Sequence, residues 1–341
     1  MALVGAGAWG QNLLRNFATL PGARLAWVCD ASERARALAS ASCGARVTAD
    51  LDHVLGDAAV RGVVVATNAG SHHAIASAAL RAGKDVLVEK PLALSGDDAA
   101  ELCDLAERGG RVLMVGHLLL YHPAVEALKG LLDAGELGDA LYLYSQRLNL
   151  GIVRPDENAW WSLAPHDVAL ANHLLGAEPE SISASGTTLG ARPDAHDVVF
   201  ATLLYPRGRL AHVHVSWLDP QKTRRLTVVG TRQMAVFDDA SADEKLVVFD
   251  KGVEPPSAVT YADGVRVRTG EIRIPAVRME EPLRRECAAF VRAIVTRKAP
   301  LTDGASGLAV VRALEAGARS LAARGRPEPV RPTHLPAGAA R

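Results

Sequence analysis

The sequence carries no excess of charge: Lys+Arg and Asp+Glu both number 38 among 341 residues, a formal net charge of zero. Without a basic excess there is no broad electrostatic surface for nucleic acid or an anionic membrane, so any phosphate site has to be local. Lysine is scarce, with seven in all, and each one can be questioned individually. Cysteine is scarcer. Cys29, Cys43, Cys103 and Cys287 form no CxxC pair, and none stands beside a histidine at metal-ligand spacing. No metal is expected, and four reduced thiols in a cytoplasmic protein are. The N-terminus has no charged segment followed by an apolar run, which is the pattern of a signal peptide. No apolar stretch reaches membrane-spanning length, and no internal repeat or low-complexity block stands out. What remains is a soluble chain, 49% hydrophobic, long enough for about two domains and a large core.

The first 120 or so residues alternate short apolar runs with amphipathic stretches. Ala2–Gly5, Leu25–Asp30, Gly62–Thr67, Asp85–Glu89 and Val112–Gly116 read as strands without polar alternation, as parallel strands covered on both faces do. Trp9–Leu20, Ser32–Ala41, His72–Ala82 and Asp97–Glu107 read as the helices between them. Alternating β and α units predict a doubly wound parallel sheet, a Rossmann domain over residues 1–121. The rhythm then changes. Pro123–Ala134 and Pro165–Leu175 look helical, and between Leu141 and Phe249 lies a series of valine-, threonine- and aromatic-rich strands separated by turns. Glu280–Val295 and Gly304–Ala323 look like closing helices. The pattern predicts a second, α+β domain over 122–330 with a mostly antiparallel sheet, and a loosely held tail over 331–341.

Gly5, Gly7 and Gly10 form G-x-G-x-x-G between the first strand and the first helix. The first glycine permits the tight turn, the second lets backbone approach a pyrophosphate, and the third lets helix and strand pack closely. The pyrophosphate would lie on the helix N-terminus near Ala8 and Trp9, where N–H groups and the dipole favour anions. Asp30 ends the next strand, where an acidic side chain accepts from the adenosine ribose hydroxyls and repels a 2′-phosphate. NAD is therefore expected over NADP, with Arg34 close enough in sequence to keep NADP open.

Val86-Leu87-Val88-Glu89-Lys90-Pro91 is a strand ending in Glu-Lys-Pro. Ligands of such sheets bind beyond the carboxyl ends of the strands, so Lys90 is placed towards the nicotinamide end of the cofactor. Pro91 has no N–H and biases Lys90 towards extended backbone.

Glu89-Lys90-Pro91, after a Rossmann start and before an antiparallel second domain, resembles the Gfo/Idh/MocA family of oxidoreductases. The resemblance covers essentially the whole chain. In that family the matching lysine is catalytic and a histidine on a second-domain helix is its partner; the string Asn158-Ala159-Trp160-Trp161-Ser162-Leu163-Ala164-Pro165-His166-Asp167 puts His166 at that position. Many members carry an aspartate four residues before this histidine, where this chain has Ser162. A carboxylate there would raise the lysine pKa and a hydroxyl does not. Ser162 also fits a branch of UDP-N-acetylglucosamine 3-dehydrogenases, which His117-Leu118-Leu119-Leu120-Tyr121-His122-Pro123 and Ser216-Trp217-Leu218-Asp219-Pro220 likewise resemble.

The resemblance implies an NAD-dependent enzyme that moves hydride between a sugar-nucleotide hydroxyl, the 3-OH of a UDP-N-acetylamino sugar, and nicotinamide. Lys90 and His166 are the expected catalytic residues. They come from different domains and can meet only across an interdomain cleft. His166 is expected as the base, in the first turn of a helix opened by Pro165, where the dipole disfavours imidazolium. Lys90 would position the hydroxyl and relay its proton, and the reverse assignment stays open. Gly5, Gly7, Ala8, Trp9, Gly10, Asp30, Thr67, Asn68, His72, Glu89, Lys90 and Trp161 are expected to bind cofactor. Lys90, His117, Tyr121, Ser162 and His166 are expected to bind substrate. A homodimer or homotetramer built through the second-domain sheet is expected. A 3-keto-sugar reductase, an inositol-type polyol dehydrogenase and a non-catalytic NAD-binding regulator are the other readings; an intact Lys90 and His166 argue against the last.

Overall fold

The computed structural model describes residues 1–151, 157–188, 195–254 and 266–333. The chain divides into two compact units. The first is built on a six-stranded sheet. Its elements are β1 (Ala2–Val4), α1 (Gly10–Thr19), β2 (Trp27–Cys29), α2 (Glu33–Cys43), β3 (Arg46–Thr48), α3 (Leu51–Leu55), β4 (Gly62–Val65), α4 (Ala69–Arg81), β5 (Asp85–Glu89), α5 (Gly96–Gly109) and β6 (Leu113–Gly116). All pairings are parallel, in the order β3-β2-β1-β4-β5-β6. That is the dinucleotide-binding order, which reverses direction between β1 and β4. Every residue of β1, β4, β5 and β6 is buried, which explains their uninterrupted apolar pattern.

The helix starts follow from local capping. Ser32 and Ser95 cap α2 and α5, each accepting from a backbone N–H three residues on. Gly44 and Gly110 end the same helices in the left-handed conformation. β3 is an addition to the five strands visible in the sequence. It is a three-residue edge strand whose Arg46 is exposed, too short and too polar to show an apolar run.

The second unit contains α6 (Pro123–Asp133), β7 (Ala140–Leu148), α7 (Ala159–Leu175), β8 (Ser181–Thr187), β9 (Val198–Tyr205), β10 (Arg209–Ser216), β11 (Thr223–Gly230), β12 (Met234–Asp238), β13 (Leu246–Glu254) and β14 (Arg266–Arg273). With β15 (Glu328–Pro329) the strands form a nine-stranded sheet, order β14-β13-β12-β11-β7-β10-β9-β8-β15. Among the described residues only the central β7–β10 pair is parallel. One face is dry: Leu143, Ser145, Val199, Ala201, Leu203, Ala211, Val213 and Val215 are fully buried, with α7 packed against β7, β9 and β10. Trp160 of α7 is fully buried, and its Nε1 donates to the Leu314 carbonyl at 2.8 Å. Gly317 makes room for that ring, since a Cβ there would run into it. The opposite face alternates with the first and exposes Tyr142, Tyr144, Phe200, Leu204 and Leu210.

Residues 122–330 were expected to form one domain. The chain does divide between Tyr121 and His122, but Glu280–Arg312 packs with the first unit, and Ala313–Pro332 with the second. The reason is the apolar face of α8 (Pro282–Thr296). Leu283, Cys287, Phe290 and Ile294 join Leu3, Leu13, Phe17, Leu87 and Met114 in one buried cluster. The helix α9 (Gly304–Ala322) contains the third division point, between Arg312 and Ala313. Of the tail over 331–341, residues 334–341 lie outside the described residues.

Candidate active site

The glycine turn is fastened by side chains from outside it. Asp30 accepts the Ala6 N–H on Oδ2 at 2.6 Å and the Ser32 N–H on Oδ1 at 2.7 Å. Gln11 Nε2 donates to the Ala6 carbonyl at 2.9 Å. Gly5 is held at φ +93°, and a Cβ there would lie 2.6 Å from the Ala66 carbonyl carbon. At Gly10 a Cβ would strike the Gly5 carbonyl oxygen. Both glycines are thus demanded by the turn itself.

Gly7 is different. Its φ is not positive, and a Cβ there would meet nothing within 4 Å. Neither strain nor packing within the chain requires a glycine at this position. Open space over the backbone at a helix N-terminus is what a dinucleotide pyrophosphate needs. The residues present therefore fit a dinucleotide: Gly7, Ala8 and Trp9 under the pyrophosphate, and Asp30, half-buried, towards the adenosine ribose. Each Asp30 oxygen already accepts one bond and keeps a lone pair for a hydroxyl. Thr67 and Asn68 follow β4, with Asn68 at the start of α4. Ser71 donates to Thr67 Oγ1 at 2.7 Å and reaches Asn68 Oδ1 at 2.9 Å, which orders both side chains.

Glu89 closes the other side of the turn. It is buried at the carboxyl end of β5, and its Oε1 accepts from Trp9 Nε1 at 2.5 Å. Its Oε2 accepts the Lys90 N–H at 3.3 Å. Burial raises its pKa, against the opposing pull of the Trp9 bond and the Lys90 charge. Gly116 on β6 leaves room for this carboxylate, as a Cβ would come within 2.9 Å of Oε2. Behind it on α8, Glu286 is fully buried with neither carboxyl oxygen hydrogen-bonded among the described residues. Burial, reinforced by the negative charge of Glu89, holds Glu286 well above the ordinary carboxylate range.

Lys90 is half-buried, and its peptide bond to Pro91 is cis. His117, just beyond β6, is buried with neither ring nitrogen paired among the described residues. Burial, and next the Lys90 charge, push it down to about 3, so the ring is neutral at pH 7. An unpaired buried polar group costs about 1–3 kcal/mol, a cost that a substrate hydroxyl would relieve.

Two expected residues have other occupations. Tyr121 is buried in the core of the first unit, and its hydroxyl shares a hydrogen bond with Thr302 Oγ1 at 3.1 Å. Burial pushes that hydroxyl up to about 12; nothing in this geometry offers it to a substrate. His72 is buried too, and both ring nitrogens face backbone carbonyls, Nδ1 that of Pro91 at 2.8 Å and Nε2 that of Thr67 at 3.2 Å. It braces the strand ends.

In the second unit the expected start of α7 is corrected. Proline is normally tolerated only in a first helical turn, so Pro165 read as the opening residue. The helix starts at Ala159, where Asn158 Oδ1 accepts the Trp161 N–H at 3.0 Å. Pro165 lies inside it. His166 therefore sits about two turns in, beyond the reach of the N-terminal dipole, and that argument for a neutral imidazole falls away. Trp161, Ser162 and His166 all lie on this helix, Ser162 and His166 one turn apart on the same face.

A pair missed in the sequence sits beside His166. Arg147 of β7 donates to Asp167 through Nε at 2.7 Å and through a terminal nitrogen at 3.3 Å. Both side chains are nearly buried, and the forked contact pins α7 to the sheet at the residue after His166. Asp167 stood in the quoted motif, but no sequence signal pointed to Arg147, nineteen residues before His166.

Residues 1–117 match the oxidoreductase family with an NAD-binding Rossmann fold, and residues 125–236 match the Gfo/Idh/MocA C-terminal domain. The chain belongs to the Gfo/Idh/MocA family. It is thus an oxidoreductase with an N-terminal NAD-binding domain. It is 36% identical over 222 residues to inositol 2-dehydrogenase 2 of Saccharopolyspora erythraea, a match over 63% of this chain and 66% of that one. It is 28% identical over 312 residues to UDP-N-acetylglucosamine 3-dehydrogenase of Acidithiobacillus ferrooxidans, over 91% and 93% of the two chains. The solved structure of that enzyme superimposes with a TM-score of 0.79 at 25% identity, covering 95% of this chain and 98% of the other. GenD2 from gentamicin A biosynthesis, solved in complex with NAD, gives a TM-score of 0.81 at 27% identity, over 97% and 96%.

Proposed function

We propose that this chain oxidises a secondary hydroxyl of a nucleotide-linked sugar, the 3-OH of a UDP-N-acetylamino sugar, with NAD as acceptor. The observation that carries the reading is the extent of likeness: the match to UDP-N-acetylglucosamine 3-dehydrogenase runs through 91% of the chain, into both units. The cofactor supplies the hydride acceptor, so that alcohol and NAD+ become ketone, NADH and one proton. The chain's residues handle that proton. His166 takes it from the hydroxyl, and Lys90 holds the hydroxyl oxygen and stabilises negative charge developing there. Neutral His117, with both ring nitrogens uncommitted, orients a neighbouring hydroxyl. Asp30 binds the adenosine ribose of NAD. Thr67, Asn68, Glu89 and Trp161 line the same cofactor, Glu89 by holding Trp9.

A second reading, an inositol-type polyol dehydrogenase, is favoured by the higher identity to inositol 2-dehydrogenase 2 over its shorter span. NADH absorbance with NAD and a panel of UDP-sugars and inositols separates the two. Turnover of UDP-N-acetylglucosamine is expected. Turnover of inositol alone would replace the first reading by the second, and no turnover of either would overturn both.

We also propose that the exposed sheet face packs on a second copy, giving a dimer or tetramer. Tyr142, Tyr144, Phe200, Leu204 and Leu210 are exposed there, with Leu210 directly opposite both Tyr142 and Leu204 on neighbouring strands. Light scattering at micromolar concentration checks it, and a monomer would overturn it.

A further inference from the structure

Lys90 is anchored on both sides of its Cα. On one side its N–H donates to Glu89 Oε2 at 3.3 Å. On the other, the residue that follows it, Pro91, gives its carbonyl to His72 Nδ1 at 2.8 Å. A carbonyl only accepts, so Nδ1 carries the proton in this bond. The same ring presents Nε2 to the Thr67 carbonyl at 3.2 Å. β4 and β5 are neighbours in the sheet, so one imidazole spans the segments leaving two adjacent strands, where ligands of such folds bind. His72 itself is almost wholly buried, at 1% exposure, and Pro91 is buried with it. It stands on α4, a rigid element, so the position of the Pro91 carbonyl is referred to the helix and not to the loop.

We infer that His72 is a positioning residue for Lys90, fixing the lysine backbone through the Pro91 carbonyl so that its ammonium is presented from one place. This rests on the proposed role of Lys90. Misplacement of a reacting group by about 1 Å costs on the order of 10²-fold in rate, so a brace of this kind has a kinetic consequence out of proportion to the one hydrogen bond to Pro91 that carries it.

Asparagine and glutamine separate the two contacts. The asparagine amide reaches where Nδ1 is and can donate to Pro91; the glutamine amide reaches where Nε2 is, towards Thr67. In His72→Phe, kcat is expected to fall about 10²-fold while NAD affinity stays nearly unchanged. His72→Asn should recover most of that loss and His72→Gln little of it. A substrate-free readout accompanies the kinetics: competitive labelling of the full chain with acetic anhydride, Lys90 measured against exposed Lys298. Lys90 should label several-fold faster in His72→Phe and His72→Gln, and as in the wild type in His72→Asn. If His72→Phe fails to fold, the asparagine–glutamine pair decides alone. Equal behaviour of those two variants, or unchanged Lys90 labelling in His72→Gln, overturns the inference. Lys90→Met run alongside isolates the underlying reading: full activity there would refute the role of Lys90, whereas the labelling ratio would still report whether His72 positions it.

Discussion

The two sheets solve different problems. The parallel sheet of the first unit is covered on both faces by helices, and the side chains proposed to meet ligand, Asp30, Thr67 and Lys90, follow the ends of β2, β4 and β5. The antiparallel sheet of the second unit buries one face under α7 and leaves the other open. The residues proposed to act on substrate, Ser162 and His166, stand on a helix laid on the sheet, and the free face is the one proposed for assembly. A sheet consumed on both sides fixes reactive groups through its ends; one consumed on a single side has a surface to spare.

The largest expected effect tests whether strand end and helix both carry chemistry. Lys90→Met and His166→Asn should each lower kcat on the verified substrate by about 10²–10⁴-fold, with far less change in NAD affinity by titration calorimetry. The double variant should lose less than the product of the two single losses if they act as a unit. Full activity in either single variant would remove that residue from the mechanism.

Arg147→Met asks how firmly α7 is held to its sheet. Breaking a buried, forked ion pair leaves Asp167 uncompensated and costs about 3–5 kcal/mol, read as a lowered denaturation midpoint. Activity should fall with it, because Asp167 adjoins His166. A midpoint within experimental error of the wild type would show that the pair does not secure the helix.

Glu286→Gln probes the packing behind the strand ends. Burial and the Glu89 charge raise the Glu286 pKa in the folded chain, so the folded state binds its proton more tightly than the unfolded state. Below the ordinary carboxylate range both states are protonated and the group is neutral to stability. As pH rises from there towards the raised folded pKa, the wild type loses stability. The glutamine variant lacks this loss. The two proteins should melt alike under acid conditions, and the variant should melt higher at neutral and alkaline pH. Parallel pH–stability curves would contradict it.

The smallest effect concerns cofactor choice. Asp30 should favour NAD over NADP by about 1–3 kcal/mol, and Asp30→Ala should narrow the gap. The structure adds that Asp30 also holds the Ala6 N–H, so affinity for NAD itself should fall too. Asp30→Asn keeps an acceptor for Ala6 while removing the charge, and calorimetry on both variants separates the two contributions. Tighter NADP than NAD binding by the wild type would sink the preference.

The legible parts of this molecule are those in which local pattern and tertiary environment agree. Continuous apolar runs gave away β1, β4, β5 and β6 because both faces are buried, and the glycine turn was visible because Gly5 and Gly10 have no sterically allowed substitute. Lys90 and His166 were singled out mainly through family motifs, with the strand-end position of Lys90 as the one supporting local argument. Elements at the margin were hidden: β3 is short and polar, and β14, Arg266–Arg273, carries three arginines on an exposed edge. Pro165 misled because a helix interior normally rejects it. Tyr121, His72 and Arg147 depend on partners far away in sequence, Thr302, Pro91 and Asp167, and no window of residues contains those pairings.

The return of α8 to the first unit bears on how the chain is made. Phe17, Leu13 and Met114 share a buried cluster with Leu283, Cys287 and Phe290, which leave the ribosome long after residue 121. All of 122–279 is synthesised while the nucleotide-binding core still lacks one wall. During that interval the nascent N-terminal segment exposes an apolar surface, and the second unit in turn waits for Ala313–Pro332. A gene fragment cut at residue 121 would keep that surface permanently uncovered. The boundary that is natural in the sequence is the wrong place to divide the protein.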